Sequence, residues 1–414
     1  MTENNIPNGW IETALGEIAQ KMYSGGTPST KHEEYYGGTI PWIRTQEVVF
    51  NFIKETDVKI TELGLKNSSA RYIPVETVIV AMYGNSAGRV ALSKIKATTN
   101  QACCNIISNS TTSYPYFIFY NLLGRYKEIE GKANGAAQQN LSVGVLKDLN
   151  INLPPLQEQK AIANILTAFD NKIELLQDQN KTLETTAQTI FKEWFGKYKV
   201  GDELPDGWKV RKIGDLANHI KISIKPFNHP NEDYIHYSLP AYDKGLIPLM
   251  EKGTDIMSNK YLVKDYTFLV SKLNPFTPRI WTVFNAEANH ICSTEFQVLQ
   301  PKKDIYFSFL HCFLNSDYYT KEISKNIQGT SSSHQRVKPD DIFNLVLIIP
   351  NEQRIKDFEE SFSTLILKKD KNHQQIQTLT KTRDTLLPKL MSGQLRVNLS
   401  ACNAQADEFK ENIV

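Results

Sequence analysis

Two sets of side chains in this sequence are of the types that read base edges and hold phosphates. In the first half they are Arg44-Thr45-Gln46, Tyr83, Asn85 and Ser86 with Arg89, Asn100-Gln101, and Gln138-Gln139-Asn140. In the second half they are Lys221, Ser223, Lys225, Tyr237, Lys272, Asn274, Arg279 and Ser333-His334-Gln335-Arg336. Arginine presents a two-pronged donor to guanine, Asn and Gln match adenine in the same way, and Lys and Ser hold phosphate oxygens. Taken singly, each is more often an ordinary surface residue, and the polar runs read equally well as exposed turns. The weight falls on their recurrence at matching places, at predicted strand ends, in both halves of the chain.

Bond-making chemistry is not evident. No G-x-G spacing or G-x-x-x-x-G-K-[ST] run occurs, so neither a dinucleotide fingerprint nor a P-loop is present. His32-Glu33-Glu34-Tyr35-Tyr36 begins like a zincin helix but lacks its second histidine, and the eight histidines show no ligand spacing. Asn274-Pro275-Phe276 resembles part of an amino-methyltransferase motif, yet it has one proline instead of two and reads as a turn. A net charge of +2 is modest for a nucleic-acid binder, so DNA contact requires local basic patches or help from partner subunits. The five cysteines (Cys103, Cys104, Cys292, Cys312, Cys402) form no disulfide-like framework, and no apolar run is long enough for a membrane span. A cytoplasmic location, no bound cofactor, no metal and no membrane contact are therefore expected.

The elements that must position these side chains are two long helices and two β-rich globules. Ile162, Leu166, Phe169, Ile173, Leu176, Leu183, Ala187, Ile190 and Trp194 alternate steps of four and three, with Asn180 the one polar member. That 3.5-residue period is a coiled-coil seam. Ile355, Phe358, Phe362, Leu365, Ile376, Leu379, Leu386 and Leu390 repeat it, with Lys369, Asn372 and Arg383 in the polar gaps. Pro388 is expected to end or kink the second helix. An antiparallel pairing brings Asn180 opposite Asn372. A buried Asn pair fixes register at a cost in stability; equally, both are tolerated at a wet seam.

The chain also repeats itself. Gly9-Trp10 with Leu15-Gly16-Glu17-Ile18-Ala19 returns as Gly207-Trp208 with Ile213-Gly214-Asp215-Leu216-Ala217. Each copy continues through an aromatic helix (Tyr116–Leu123; Leu310–Phe313 and its flanks), a glycine and a polar run, then a buried strand, a proline and Glu-Gln. Val78–Met82 and Thr267–Val270 are short apolar strands; Ser24–Pro28 and Tyr36-Gly37-Gly38 read as turns, and Trp10 and Trp208 as core residues. The fold class is α+β: two β-rich recognition domains in tandem pseudo-two-fold repeat with two long antiparallel coiled-coil helices. The boundaries are 1–155, 156–200, 201–350, 351–397, and a polar tail at 398–414.

Ser24-Gly25-Gly26-Thr27-Pro28-Ser29, Ile40-Pro41-Trp42-Ile43, Pro154-Pro155-Leu156-Gln157-Glu158-Gln159 and Leu386-Leu387-Pro388-Lys389-Leu390-Met391-Ser392-Gly393 resemble, in order, the specificity subunit of type I restriction-modification systems, the HsdS family. The resemblance covers residues 9 to 397. It departs at Ile349-Pro350-Asn351-Glu352-Gln353, one residue shorter than the first copy's version. What it implies is a non-catalytic, DNA-binding subunit. Each globule would read one half of a bipartite asymmetric site, and the helices would set the gap and dock two methyltransferase (modification) subunits. Those subunits would bind S-adenosylmethionine, and two restriction subunits would bring ATP and Mg. A coiled-coil scaffold whose globules bind proteins is the alternative. A salt titration separates them, because only DNA binding falls steeply with salt.

Overall fold

The computed structural model describes residues 6–134, 140–325 and 335–397. Two 40-residue helices, Leu156–Phe195 and Glu352–Met391, dominate the chain. At 1.5 Å per residue each is roughly 60 Å long. They are shorter than the expected 156–200 and 351–397. The second continues through Pro388 instead of stopping there. Its flanking Leu387, Leu390 and Met391 are buried in the first unit's core, and that packing outweighs one lost helical hydrogen bond.

The chain divides into two compact units, residues 1–173 with 379–414, and residues 174–378. Each unit thus takes a β-rich head together with a segment of each long helix. The division follows from burial. Ile162, Ala163 and Leu166 share one core with Leu387, Leu390, Met391 and the aromatic helix Pro115–Gly124. Ala187, Phe191 and Phe195 share another with Ile355, Phe358, Phe362 and the aromatic helix Phe307–Leu314. Within each unit the helix segments are antiparallel, since contacts pair rising with falling numbers. Asp170 meets Arg383 in the first; Asn180 meets Asn372 and Phe195 meets Phe358 in the second.

The first head opens with Ile11–Ala14, which pairs antiparallel with its exit strand Asn150–Leu153. Its larger sheet orders Ala19–Ser24, Cys103–Ser108, Val78–Ala81, Val90–Ser93 and Phe52–Ile53. Val78 and Val80 face the helix-side core while Ile79 and Ala81 face a second core. Burial on both faces explains why this strand is apolar without alternation. A smaller sheet orders Lys59–Ile60, Tyr36–Ile43, Ala97–Thr99 and Tyr72–Ile73. The expected turn at Tyr36-Gly37-Gly38 lies inside a strand, at a register shift where Gly37 takes φ +77°.

The second head repeats this plan. Lys209–Lys212 pairs with the exit strand Val346–Ile349. Ala217–Ile220, Phe296–Pro301, Thr267–Ser271 and Ile280–Val283 follow the order of the first four strands of the first head's larger sheet. A five-stranded sheet orders Ser223–Ile224, Lys260–Leu262, His290–Ser293, Asp233–Tyr237 and Leu249–Lys252. Trp10 is 6% exposed in its core. Trp208 is half-buried against the second head's core.

Candidate nucleic-acid interface

In each head the strand that is buried on both faces delivers its chain into an exposed loop, and the end of the polar run is stitched to that loop. In the first head, Val78–Ala81 leads to Tyr83 and the single turn Gly84–Ser86. Leu141 N–H donates to the Met82 carbonyl at 2.8 Å, and Tyr83 and Asn140 form an antiparallel bridge. In the second head, Thr267–Ser271 leads to Lys272, Leu273 and Asn274. Asn274 N–H donates to Gln335 at 3.1 Å, Val337 N–H donates to Lys272 at 3.0 Å, and Leu273 bridges Arg336. The repeat therefore brings Tyr83, Asn85 and Ser86 together with Asn140, and Lys272 and Asn274 together with Gln335 and Arg336. Gln138, Gln139, Ser333 and His334 lie outside the described residues.

A second group in the first head sits where two parallel strands end side by side. Tyr36–Ile43 delivers Arg44 and Ala97–Thr99 delivers Asn100, whose N–H donates to the Ile43 carbonyl at 2.9 Å. Among the described residues, Arg44 Nε and Asn100 Oδ1 are buried without a hydrogen-bond partner. Such atoms cost free energy until a ligand or water supplies the missing bond. Arg44 is also steered by carboxylates, with Asp57 at 3.5 Å and its own N–H on Glu47 at 2.8 Å.

The glycine pair of Ser24–Pro28 explains how Asn100 is placed. A Cβ on Gly25 would stand 2.3 Å from the carbonyls of Thr99 and Asn100, and one on Gly26 would stand 2.1 Å from the Ala70 nitrogen. The Trp42 indole closes the clasp by donating to Gly26 at 3.0 Å. Gln46, Asn85 and Gln101 are exposed, with Thr45, Ser86 and Arg89 half-buried around them.

In the second head Lys221, Ser223 and Lys225 are exposed along an edge strand. Arg279 is held by a two-pronged pairing with Asp243, at 2.7 and 3.0 Å, and Arg336 by Glu295 at 3.0 Å. Neither carboxylate was visible as a partner in the sequence, because 36 and 41 residues separate each pair. Tyr237 departs from expectation. It is 5% exposed, packs edge-on against Trp281, and its hydroxyl lies 3.1 Å from His290 Nδ1. It is a core residue, because strand alternation puts it on the same face as Ile235, which packs into the core with Trp281 and Val283.

Each aromatic helix also places one polar group beside an ion pair between the long helices. Tyr120 donates to Asp170 at 2.6 Å, and Asp170 accepts from Arg383. Burial, then the Asp170 charge, pushes the Tyr120 phenol well above its ordinary range. In the second unit, buried His311 lies 2.9 Å from Thr282 Oγ1 and close to the Glu184–Lys369 pair. Burial, reinforced by the Lys369 charge, holds His311 down to about 4. Thr282 belongs to Ile280–Val283, the hairpin strand that returns from the Lys272–Arg279 loop. Asn372, 1% exposed, donates to Asn180 at 3.0 Å, so the seam asparagines do face each other.

Most seam residues lie on buried or half-buried positions: Ile162, Leu166, Ile173, Leu176, Phe358, Phe362 and Leu390 are buried, and Phe169, Leu183, Ile190, Trp194, Leu365, Ile376, Leu379 and Leu386 are half-buried. The described cysteines Cys103, Cys104, Cys292 and Cys312 are free and buried. Among the described residues no group of His, Cys, Asp and Glu could hold a metal ion, and no helix is long and apolar enough to cross a membrane.

Each half of the chain thus carries a β head whose loop is stitched to the end of a polar run and which packs on segments of both long helices. The family model of the type I restriction modification DNA specificity domain matches residues 7–185 and again 205–381, and the chain belongs to that family. It is 29% identical over 427 residues to the MjaIX type I restriction enzyme specificity subunit of Methanocaldococcus jannaschii, covering 95% of each. It is 31% identical over 163 residues, 38% of this chain and 40% of the relative, to the EcoR124I/EcoR124II specificity subunit of Escherichia coli. Its fold is similar to the type I restriction-modification S subunit of M. genitalium, with TM-score 0.63, 18% identity and coverage of 94% and 98%.

Proposed function

We propose that each head reads one half of a bipartite, asymmetric DNA site and that the paired helices set the unread gap between the halves. In this reading the chain is non-catalytic and cytoplasmic. It binds double-stranded DNA and docks two modification subunits on its helices. Those subunits hold S-adenosylmethionine and methylate, while two restriction subunits supply ATP- and Mg-dependent cleavage.

The observation that carries this is the matched loop in each head, Tyr83 to Ser86 beside Asn140 and Lys272 to Asn274 beside Arg336. Two such surfaces on one chain suit a site with two halves. Half-sites on one face of B-DNA recur about every 34–36 Å, within the reach of helices roughly 60 Å long. Each good two-pronged base contact discriminates by about 1–3 kcal/mol, so a half-site needs several. With a net charge of +2, the lone chain is expected to bind DNA weakly and to gain site preference with its modification subunit.

Single-molecule methylation mapping of DNA from cells carrying this chain and its modification subunit tests the reading. Two short, unrelated half-sites at a fixed gap are expected. A single contiguous site, or no site, contradicts it, as does tight site-specific gel shifting by the lone chain for the division of labour.

A further inference from the structure

We propose that Phe276 is an apolar wedge that packs into one base step of the half-site read by the second head. This deepens the reading above and rests on it. Phe276 is 61% exposed, at the tip of the loop between Thr267–Ser271 and Ile280–Val283. A large ring left in water on a mobile loop would need no explanation, but this loop is fixed on several sides. Asn274 sits in the left-handed region at φ +51°, and Thr277 N–H closes the turn on its carbonyl at 2.9 Å. Asn274 N–H is held by Gln335 at 3.1 Å, and the Ser324 hydroxyl donates to the Pro275 carbonyl at 3.1 Å. Pro275 is itself buried and locks its own φ. The turn Asn274-Pro275-Phe276-Thr277 is thus a rigid mount for one exposed ring.

The surroundings indicate what that ring meets. Lys272 and Arg279 flank it in the loop, and Arg336 is bridged to Leu273 at the loop's base. An apolar tip beside Lys272, with Arg279 and Arg336 exchanging Asp243 and Glu295 for phosphate on binding, fits a duplex: the ring enters the stack while the cations meet the backbone. The first head also exposes an aromatic in the corresponding loop, Tyr83 at 43%, but at the bridged base that matches Leu273, so the wedge at the tip is particular to the second head. Unstacking is easiest at pyrimidine–purine steps, so the wedge would favour such a step within the second half-site, at a position no hydrogen bond reads.

The test uses the full chain with its modification subunit and a duplex carrying the mapped site, with 2-aminopurine substituted in turn at each purine of the half-site. Methyltransferases flip their own target base, so the methylated position is excluded. Wild type is expected to brighten one other position. Phe276→Ala should abolish that signal and weaken binding to the mapped site about tenfold, while binding to a scrambled duplex and thermal stability stay unchanged, because the ring is exposed. Phe276→Leu should retain part of both effects. If Phe276→Ala matches wild type in affinity and signal, the wedge is wrong and the DNA reading stands. If affinity falls but wild type never brightens a second position, the wedge is equally wrong, and Phe276 contacts a groove wall. If wild type itself does not prefer the mapped duplex to the scrambled one, the underlying reading fails first.

Discussion

In the first unit the entrance of the long helix is closed around a buried carboxylate. Glu158, 3% exposed, accepts the Trp10 indole at 3.1 Å and both prongs of Arg396 at 2.8 and 3.0 Å, while Arg396 also reaches the Asn8 carbonyl. The matching entrance in the second unit carries Glu352, which is exposed and meets Lys303 at 3.4 Å. There Trp208 instead rests on the rings of Tyr198 and Phe195. The same task, fastening the head's first strand to the helices, is done by buried charge in one copy and by edge-on and tilted aromatic contacts in the other. The repeat thus preserves topology and leaves the chemistry of each joint free. The two inner ion pairs show the same latitude, with a tyrosine bonded to one and a histidine beside the other.

That contrast can be broken most sharply at the outer joints. Arg396→Met leaves Glu158 buried without its countercharge, and the first unit should lose about 3 kcal/mol. Lys303→Met, at the exposed equivalent, should cost well under about 1 kcal/mol. Urea unfolding followed through the tryptophans measures both, and equal losses would erase the distinction.

Acid should act on the second unit next. Because the folded state holds His311 near 4 against an ordinary 6.5, the unfolded chain takes up its proton first as pH falls. Stability contributed by neutral His311 is complete above about pH 6.5 and is lost between there and pH 4, on the order of 2 kcal/mol by pH 5. Glu184 acts in the same direction further down: burial raises its carboxyl, but the Lys369 charge and the hydrogen bonds from Lys369 and Gln188 outweigh burial and lower it. His311→Gln should flatten much of the pH slope between 6.5 and 5.

The smallest effect is expected at the seam. Replacing Asn180 and Asn372 together with leucine removes a buried polar pair whose Asn372 Oδ1 lacks a partner. The second unit should gain about 1 kcal/mol while losing its single helix register, seen as extra peaks in an NMR spectrum. A loss of stability would instead assign the pair a net favourable role.

The repeat, the helix pairing and the facing asparagines were legible because a 3.5-residue period and a duplicated Gly-Trp entry are local patterns. What escaped the sequence depends on contacts between distant segments. Phe191, Phe195, Ile366 and Met391 lie beside the seam series, and they are buried because the helix ends widen their apolar face to enter a head core. Gly25 and Gly26 looked like turn residues, yet their reason is the backbone passing against Thr99, Asn100 and Ala70. Of the side chains proposed to read DNA, the structure gathers several at the two loops, but spacing gave no sign of their state. Tyr237 is packed away, and Arg279 and Arg336 are held by Asp243 and Glu295. Phe276 was read only as part of a turn, since exposure is not a property of spacing.

The most direct test is to lengthen both helices by one turn each, at their middles, and map methylation again. The account predicts the same two half-sites separated by a longer gap. An unchanged gap, or altered half-sites at the old spacing, would contradict the claim that the helices measure what the heads read.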